Sequence, residues 1–465
     1  MQRRGALSLS GGCLGALLLP PRALAAPRAA TVREQLGNRL VVIVEERRTA
    51  DVVALQLTAR AGARDDAAEP GINALTSRMI FQGTGRRPSE TELQRAAAQA
   101  GGTLGRNTST ELSWYSSVMP AGELELAFDL LADLVADPLL DAGALARQKQ
   151  ITLQDLNQRR TTPDVLLGDL FQETLFAGHP GSAPLLGIPE SIEAATREAL
   201  VANRERRWRA ADLVLTVVGG MRVADAIAQA QRYFGALPAG ERTIRPAVTL
   251  PALGPARSVF APVGQQQVQL RLGFRAPTLL DDGRYAVNVL NAITGGASGR
   301  FFRELRTVRG LAYSAGSGYN ALTDTAAWYA GAAVDPENVP AALALIREEI
   351  ERLRAASPAA EEVARRISQI AGGQVLAAES SASRASTLAS QEILGTPTTE
   401  EFVARIRSVT PEAVYGIARE YLDPDRAVVI AVGPASVQAH LPQPAPAAPV
   451  QAPPPVQPLV QMTTK

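Results

Sequence analysis

The sequence predicts an α+β chain built from two copies of one unit, and three observations carry that prediction. In each half an acidic pair, Asp65-Asp66 or Asp281-Asp282, follows a strand-like run and precedes a helix. Two amphipathic helices come later in each half: Ala121 to Ala136 with a second near Asp141, and Val339 to Leu353 with a second near Pro358. Finally, a capped helix start, Thr196-x-Glu-Ala-Leu or Thr410-x-Glu-Ala-Val, leads to an apolar strand that ends in glycine. The spacing is 23 residues both times, from Thr196 to Gly219 and from Thr410 to Gly433.

From the N-terminus, Arg3 and Arg4 precede an apolar run from Ala6 to Pro20, and Ala23-Leu24-Ala25 stands before Ala26. This is the pattern of a secretory signal peptide over residues 1–25, cleaved near Ala25/Ala26, and it predicts a periplasmic or secreted protein. Gly11, Gly12, Pro20 and Pro21 argue against a buried helix there, and Ser10 argues against lipidation at Cys13. Cleavage removes Cys13, the only cysteine, so the mature chain has neither thiol nor disulfide, which suits an oxidising compartment.

The first unit, 30–237, contains a strand-like run from Val52 to Ala61, a helix from Gly71 and the apolar strand Leu213 to Val218. Pro238, Pro246, Pro251, Pro255 and Pro262 then mark a linker, 238–262, with little room for regular structure. In the second unit, 263–435, Val268, Leu270, Leu272 and Phe274 alternate with Gln267, Gln269, Arg271 and Gly273. Such alternation predicts a strand with one buried face and one solvated or edge face. A helix follows from Gly283 to Thr294, and the last strand runs from Ala427 to Val432. Residues 436–465 are dominated by Pro, Ala, Gln and Val and are expected to be a disordered or polyproline-like tail.

Composition narrows function by exclusion. The 465 residues are 46% hydrophobic and 20% charged, enough for two or three cores. A net charge of +1 gives no electrostatic case for nucleic acid or an anionic membrane, and no stretch after the leader is long and apolar enough to span a bilayer. Lysine occurs only at Lys149 and Lys465, which reads first as coding bias. Only two histidines occur, His179 and His440, whereas a catalytic zinc site usually takes three protein ligands, so the chain is expected to be metal-free.

Gly71 to Thr84 reads GINALTSRMIFQGT. Positions 74 and 78 are four apart and share one helix face, the arrangement that two zinc-binding imidazoles need, with residue 77 placed to activate water. Ala74 has no lone pair, Ser77 is a poor base, and Arg78 carries a permanent positive charge. The frame nonetheless resembles G-x-x-H-x-x-E-H-M-x-F-x-G-T, the inverted HxxEH motif of peptidase family M16, which includes insulinase, pitrilysin and mitochondrial processing peptidase. The resemblance extends over residues 30 to 435, including HPGSAPLLGIPESI from His179 and RYFGALP from Arg232. It implies two homologous LuxS/MPP-like metallohydrolase domains, each a mainly antiparallel sheet packed with helices. His179 is then a loop residue and not a ligand. The family's third zinc ligand, a Glu, falls at Asp155 in RQKQITLQDL, where a solvated helix acid is expected. In GGTLGRNTSTELSWY, Gly105 and Arg106 replace the usual Asn-Ala of the edge strand, a departure that speaks against peptide binding along it.

Gly299 to Tyr319, GRFFRELRTVRGLAYSAGSGY, resembles the family's second-domain signature, in which an Arg and a Tyr seven residues apart contact substrate. These are Arg306 and Tyr313. A helix ending near Arg309-Gly310 and a strand starting near Ala312 are expected to bring the two side chains together across a tight turn. Pattern alone leaves open a solvated helix residue at 306 and a core-edge aromatic at 313. Gly295, Gly296 and Gly299 do not make a phosphate loop, since no Lys-Ser or Lys-Thr follows. The resemblance thus implies a non-catalytic, substrate-binding subunit of a secreted heteromeric zinc peptidase. Such a subunit has no cofactor of its own. It works with an HxxEH-containing partner that holds the zinc and acts on unfolded peptides. The alternative is an inactive M16-fold scaffold or peptide-binding protein, like the core proteins of respiratory complexes. A self-sufficient protease is disfavoured by the absence of a His pair, a thiol and a recognisable Ser nucleophile motif.

Overall fold

A computed structural model of the chain describes residues 31–66 and 68–442. The expected leader, 1–25, and the expected tail beyond residue 442 lie outside the described residues. Six strands, β1 (Thr31–Gln35), β2 (Val41–Glu46), β3 (Val52–Ala59), β4 (Thr103–Thr108), β5 (Ser113–Pro120) and β6 (Leu213–Gly219), form one sheet of order β1-β2-β6-β3-β5-β4. Five more, β7 (Arg257–Pro262), β8 (Val268–Arg275), β9 (Ala312–Ala321), β10 (Ala326–Val334) and β11 (Val428–Gly433), form a second of order β7-β11-β8-β10-β9. Each sheet has one parallel pair, β2/β6 and β11/β7, and is otherwise antiparallel. The repeat therefore extends to strand direction.

The first stretch carries helices α1 (Ile72–Ile80), α2 (Glu90–Gln99), α3 (Leu124–Ala136), α4 (Ala142–Thr161), α5 (Pro163–Leu175), α6 (Pro189–Ala194), α7 (Arg197–Arg207) and α8 (Val223–Phe234). The second carries α9 (Gly283–Thr294), the single turn α10 (Arg300–Phe302), α11 (Val339–Ala355), α12 (Ala360–Glu379), α13 (Ser381–Leu394), α14 (Thr399–Arg407) and α15 (Pro411–Tyr421). Thr196 and Thr410 cap α7 and α15 by accepting from the N–H groups of Ala199 and Ala413. One face of each sheet packs on the helices of its own half. Leu55, Leu57 and Val217 meet Leu75, Met79 and Phe128 in one core; Leu272, Trp328 and Val429 meet Val289, Leu290 and Ile346 in the other.

The opposite faces are covered by exchange. Ala385, Leu388, Ala389 and Ile393 of α13 lie on Ile43, Ala54, Val214 and Val218 of the first sheet. Reciprocally, Leu167, Phe171 and Leu175 of α5 lie on Val428, Ile430, Val432 and Ala327 of the second. β6 and β11 are therefore apolar without alternation, because both of their faces are buried. At Gly273 a Cβ would stand 2.4 Å from the Phe171 ring, so only glycine admits α5 at this depth.

This exchange corrects three expectations. The second face of β8 is only partly solvated: Arg271 lies under α5, its guanidinium carbon 4.1 Å from the Tyr329 ring centre and 5.2 Å from that of Phe171. The linker is not irregular throughout, since its last six residues run as β7 on the sheet edge, where proline at the strand end is tolerated. Nor is the tail unstructured from residue 436. Ala435–His440 form a 3₁₀ segment that buries Val437 and, just beyond, Leu441 in the second core.

Candidate functional site

The letters of GINALTSRMIFQGT that match the family frame outside the zinc slots are packing letters. Gly71 caps α1 at φ +89°, where a Cβ would stand 2.6 Å from the Leu186 carbonyl oxygen. The chain is held there by Asp66, which accepts from the N–H groups of Gly71 at 2.7 Å and Asn73 at 3.1 Å and from the Asn73 side chain at 2.8 Å. Burial pushes the Asp66 carboxyl up to about 7 against the pull of these donors. Met79 and Phe81 are buried in the first core, and Thr84 donates to Asp133 at 2.8 Å.

The three slot residues do not fit a zinc ion. Ala74 is an apolar part of the wall. The Ser77 hydroxyl is sealed in the interior without a hydrogen-bond partner, beneath Tyr115, whose hydroxyl donates to the Ser77 carbonyl at 3.0 Å. Arg78 reaches α4, where its Nη2 lies 2.8 Å from Asp155 Oδ2 and its Nη1 lies 3.3 Å from Thr152 Oγ1. Asp155 is a helix acid with a solvent-accessible side chain, but a paired one. It neutralises the guanidinium that stands where a second imidazole would be, and a divalent cation beside Arg78 would be repelled. Among the described residues no group of three or more His, Cys, Asp or Glu could hold a metal ion.

Around this pair is an open pocket of about 430 Å³ lined by Ala74, Arg78, Arg106, Thr108, Asp155 and Arg159, among others. Arg106 enters it from β4. Burial first, and the neighbouring Arg78 charge second, push its guanidinium below the ordinary value. Its guanidinium carbon lies 5.9 Å from the Phe81 ring centre.

Arg306 and Tyr313 lie in the second half, where the segment after α10 is a π-helix, Arg303–Val308, running into β9. Both are exposed. The Arg306 guanidinium donates to the backbone carbonyl of Tyr313. The Tyr313 hydroxyl turns elsewhere and donates to Asp335, 3.3 Å from Oδ1, and that carboxylate pushes the phenol up. The turn therefore joins the two residues through the main chain, with their side-chain tips apart, rather than side chain to side chain.

Sequence reading missed an ion cluster between the halves. Arg64 Nη1 lies 2.6 Å from Glu111 Oε1, and its Nη2 lies 2.8 Å from Asp324 Oδ2 in the β9–β10 turn. His179 stands beside them, a loop residue as the family resemblance implies. Its Nδ1 accepts from the Gly181 N–H at 2.8 Å, and its Nε2 is 3.1 Å from Asp324 Oδ1. Burial holds this imidazole below its ordinary value, so it is neutral at pH 7. No local pattern signals this cluster, because it joins residues up to 260 positions apart.

Two domains of repeated topology and a helix in the inverted-motif frame, without ligating side chains at 74, 77 and 78, describe a chain of metallopeptidase type. Comparison with known proteins agrees. The family model described as insulinase (peptidase family M16) matches residues 41–188, and that described as peptidase M16 inactive domain matches residues 194–370. An uncharacterized zinc protease of Mycobacterium tuberculosis is 29% identical over 433 residues, covering 91% of this chain and 98% of the relative. One from Bacillus subtilis is 24% identical over 401 residues, covering 84% and 96%. A peptidase M16 inactive domain from Pseudomonas fluorescens shares the fold with a TM-score of 0.81 at 23% identity, over 87% of this chain and 98% of that one. A protease from Helicobacter pylori gives 0.81 at 18% identity, over 88% and 100%. The chain belongs to peptidase family M16.

Proposed function

We propose that this chain is the non-catalytic, substrate-binding subunit of an exported heteromeric M16 zinc peptidase. The observation that carries the reading is the Arg78–Asp155 ion pair in the motif pocket, set against an exposed Arg306–Tyr313 segment in the second half. A chain so built cannot hold the metal but still offers a guanidinium and a phenol to a partner. Arg306 presents a fork of N–H donors suited to peptide carbonyls, and Tyr313 a single hydroxyl donor. Unfolded peptides enclosed between this chain and an HxxEH-containing subunit would be cut on the partner and positioned by this chain. That relatives carry the name zinc protease is in keeping with a role in proteolysis. Among the described residues no helix is long and apolar enough to cross a membrane, and the leader-like N-terminus supports export.

The test is peptidase activity of the mixed pair with Arg306→Ala or Tyr313→Phe in this chain. Either substitution is expected to lower kcat about tenfold or more while leaving association of the subunits unchanged. Full activity of both variants would leave the inactive scaffold as the better account.

A further inference from the structure

We propose that the former metal pocket has become a carboxylate site, anchored by Arg106, that reads an acidic group on a peptide laid along β4. The proposal rests on the peptide-binding reading above and specifies what that surface selects. Three cationic side chains line the pocket, and two of them are already neutralised: Arg78 by Asp155 at 2.8 Å and Arg159 by Asp169 at 3.0 Å. Arg106 is different. Among the described residues its guanidinium has no hydrogen-bond acceptor and no carboxylate within ion-pair distance; the Phe81 ring and the Arg78 charge are its neighbours, with Glu90 and Asp155 acting on it more weakly. A partly buried cation in that condition has lost part of its hydration without gaining a partner, so an incoming carboxylate recovers some of a cost already incurred by folding.

Position favours a peptide as the carrier of that carboxylate. β4 is an edge of the first sheet, paired only with β5; its Leu104 carbonyl accepts from Gln94 Nε2 at 3.1 Å and its Thr108 N–H donates to Asn107 Oδ1 at 2.8 Å, so strand addition here displaces these two side chains. Leu104, Arg106 and Thr108 alternate onto the face that meets α1, and Arg106 and Thr108 line the pocket. Every second side chain of an added strand falls on that same face. Ala74 leaves open the volume an imidazole would fill, and a guanidinium fork donates two parallel hydrogen bonds to a carboxylate where an amide offers one acceptor. Replacement of the edge strand's usual Asn-Ala by Gly105-Arg106 thereby changes what the strand selects, from backbone alone to backbone plus charge.

The experiment is fluorescence anisotropy on the full chain without a partner, using three labelled dodecapeptides of one neutral sequence. The first is capped at both ends with a central Glu, the second is capped with Gln in its place, and the third is the Gln peptide with a free C-terminal carboxylate. The Glu peptide is expected to bind about tenfold or more tightly than the capped Gln peptide. Arg106→Gln is expected to abolish that preference, weakening the Glu peptide far more than the Gln peptide, which loses at most one hydrogen bond. Arg106→Lys, which keeps the charge without the fork, is expected to retain part of it, which separates a lost contact from a damaged fold. Preference for the free C-terminus instead would support a carboxylate site that reads chain ends. Equal binding of all three peptides, or a preference that survives Arg106→Gln, would overturn the carboxylate site alone. Binding of none would overturn the peptide-binding reading with it.

Discussion

Replacing Arg64 with methionine removes the cation that bridges the two halves and leaves Glu111 and Asp324 facing each other in a buried site. The Arg64 side chain is 3% exposed, that of Glu111 5% and that of Asp324 11%, so water cannot take the guanidinium's place. Breaking a buried ion pair from one side costs about 3–5 kcal/mol. Here the Thr323 hydroxyl donates to Glu111 at 2.6 Å and the Val248 N–H donates to Asp324 at 3.2 Å, and these donors survive the substitution. The expected loss is therefore at the lower end, about 3 kcal/mol, or a shift of about 1 M in the midpoint of urea unfolding. Trp208 in the first core and Trp328 in the second report the transition by fluorescence. The loss also depends on pH. In the native protein burial raises the Asp324 carboxyl, but Arg64 and the Val248 N–H outweigh it and hold the group below its ordinary 3.8. Its stabilisation is thus fully present above pH 4 and fades only as pH falls through the lower folded value. Without Arg64 burial outweighs the remaining Val248 N–H, the folded Asp324 carboxyl moves up, and the variant regains stability as pH falls from 7 to 5. Adding Glu111→Gln and Asp324→Asn removes the stranded charges and restores most of the loss. A deficit below about 1 kcal/mol at pH 7, or one of equal size at pH 5, would refute this account of the cluster.

Other outcomes follow from the motif helix. The folded Asp66 carboxyl keeps its proton to about pH 7, against 3.8 in the unfolded chain, so native stability falls as pH rises from 4 to 7. Asp66→Asn, measured by urea unfolding across that range, should flatten this slope. Ser77→Ala removes a buried hydroxyl without a partner and is expected to change stability by no more than about 0.5 kcal/mol, or to raise it; a loss above about 1.5 kcal/mol would reveal a contact that the geometry does not contain. Ala74→His, Ser77→Glu, Arg78→His and Asp155→Glu together should yield a chain that retains about one zinc after dialysis, measured by atomic absorption. A folded quadruple variant without metal would mean that α1 and α4 no longer hold a ligating geometry.

How far the sequence revealed the molecule depends on whether a feature is local. The alternation of Val268, Leu270, Leu272 and Phe274, the Thr196 and Thr410 caps and the helix from Gly283 are written in neighbouring residues, and the structure has each of them. The motif helix was legible for a sharper reason: Gly71, Met79, Phe81 and Thr84 each make a contact that the fold uses, whereas Ala74, Ser77 and Arg78 stand in the slots where the family frame has its ligating letters. What escaped is long-range. Nothing near Arg271 announces that α5 of the other half covers it, and Asp324 reads as an ordinary turn acid until Arg64 is brought to it. Arg106 left a partial trace as a charge on the inward face of an edge strand between Leu104 and Thr108, and the pocket it enters exists only once α1 and α4 have packed.

The most direct measurement of the central claim is peptidase activity, with zinc content, of the mature chain alone, of an HxxEH-containing M16 partner alone, and of the two together. Activity confined to the mixture, with zinc carried by the partner and none by this chain, is the predicted result. A partner equally active without this chain, or two chains that never associate, would contradict it.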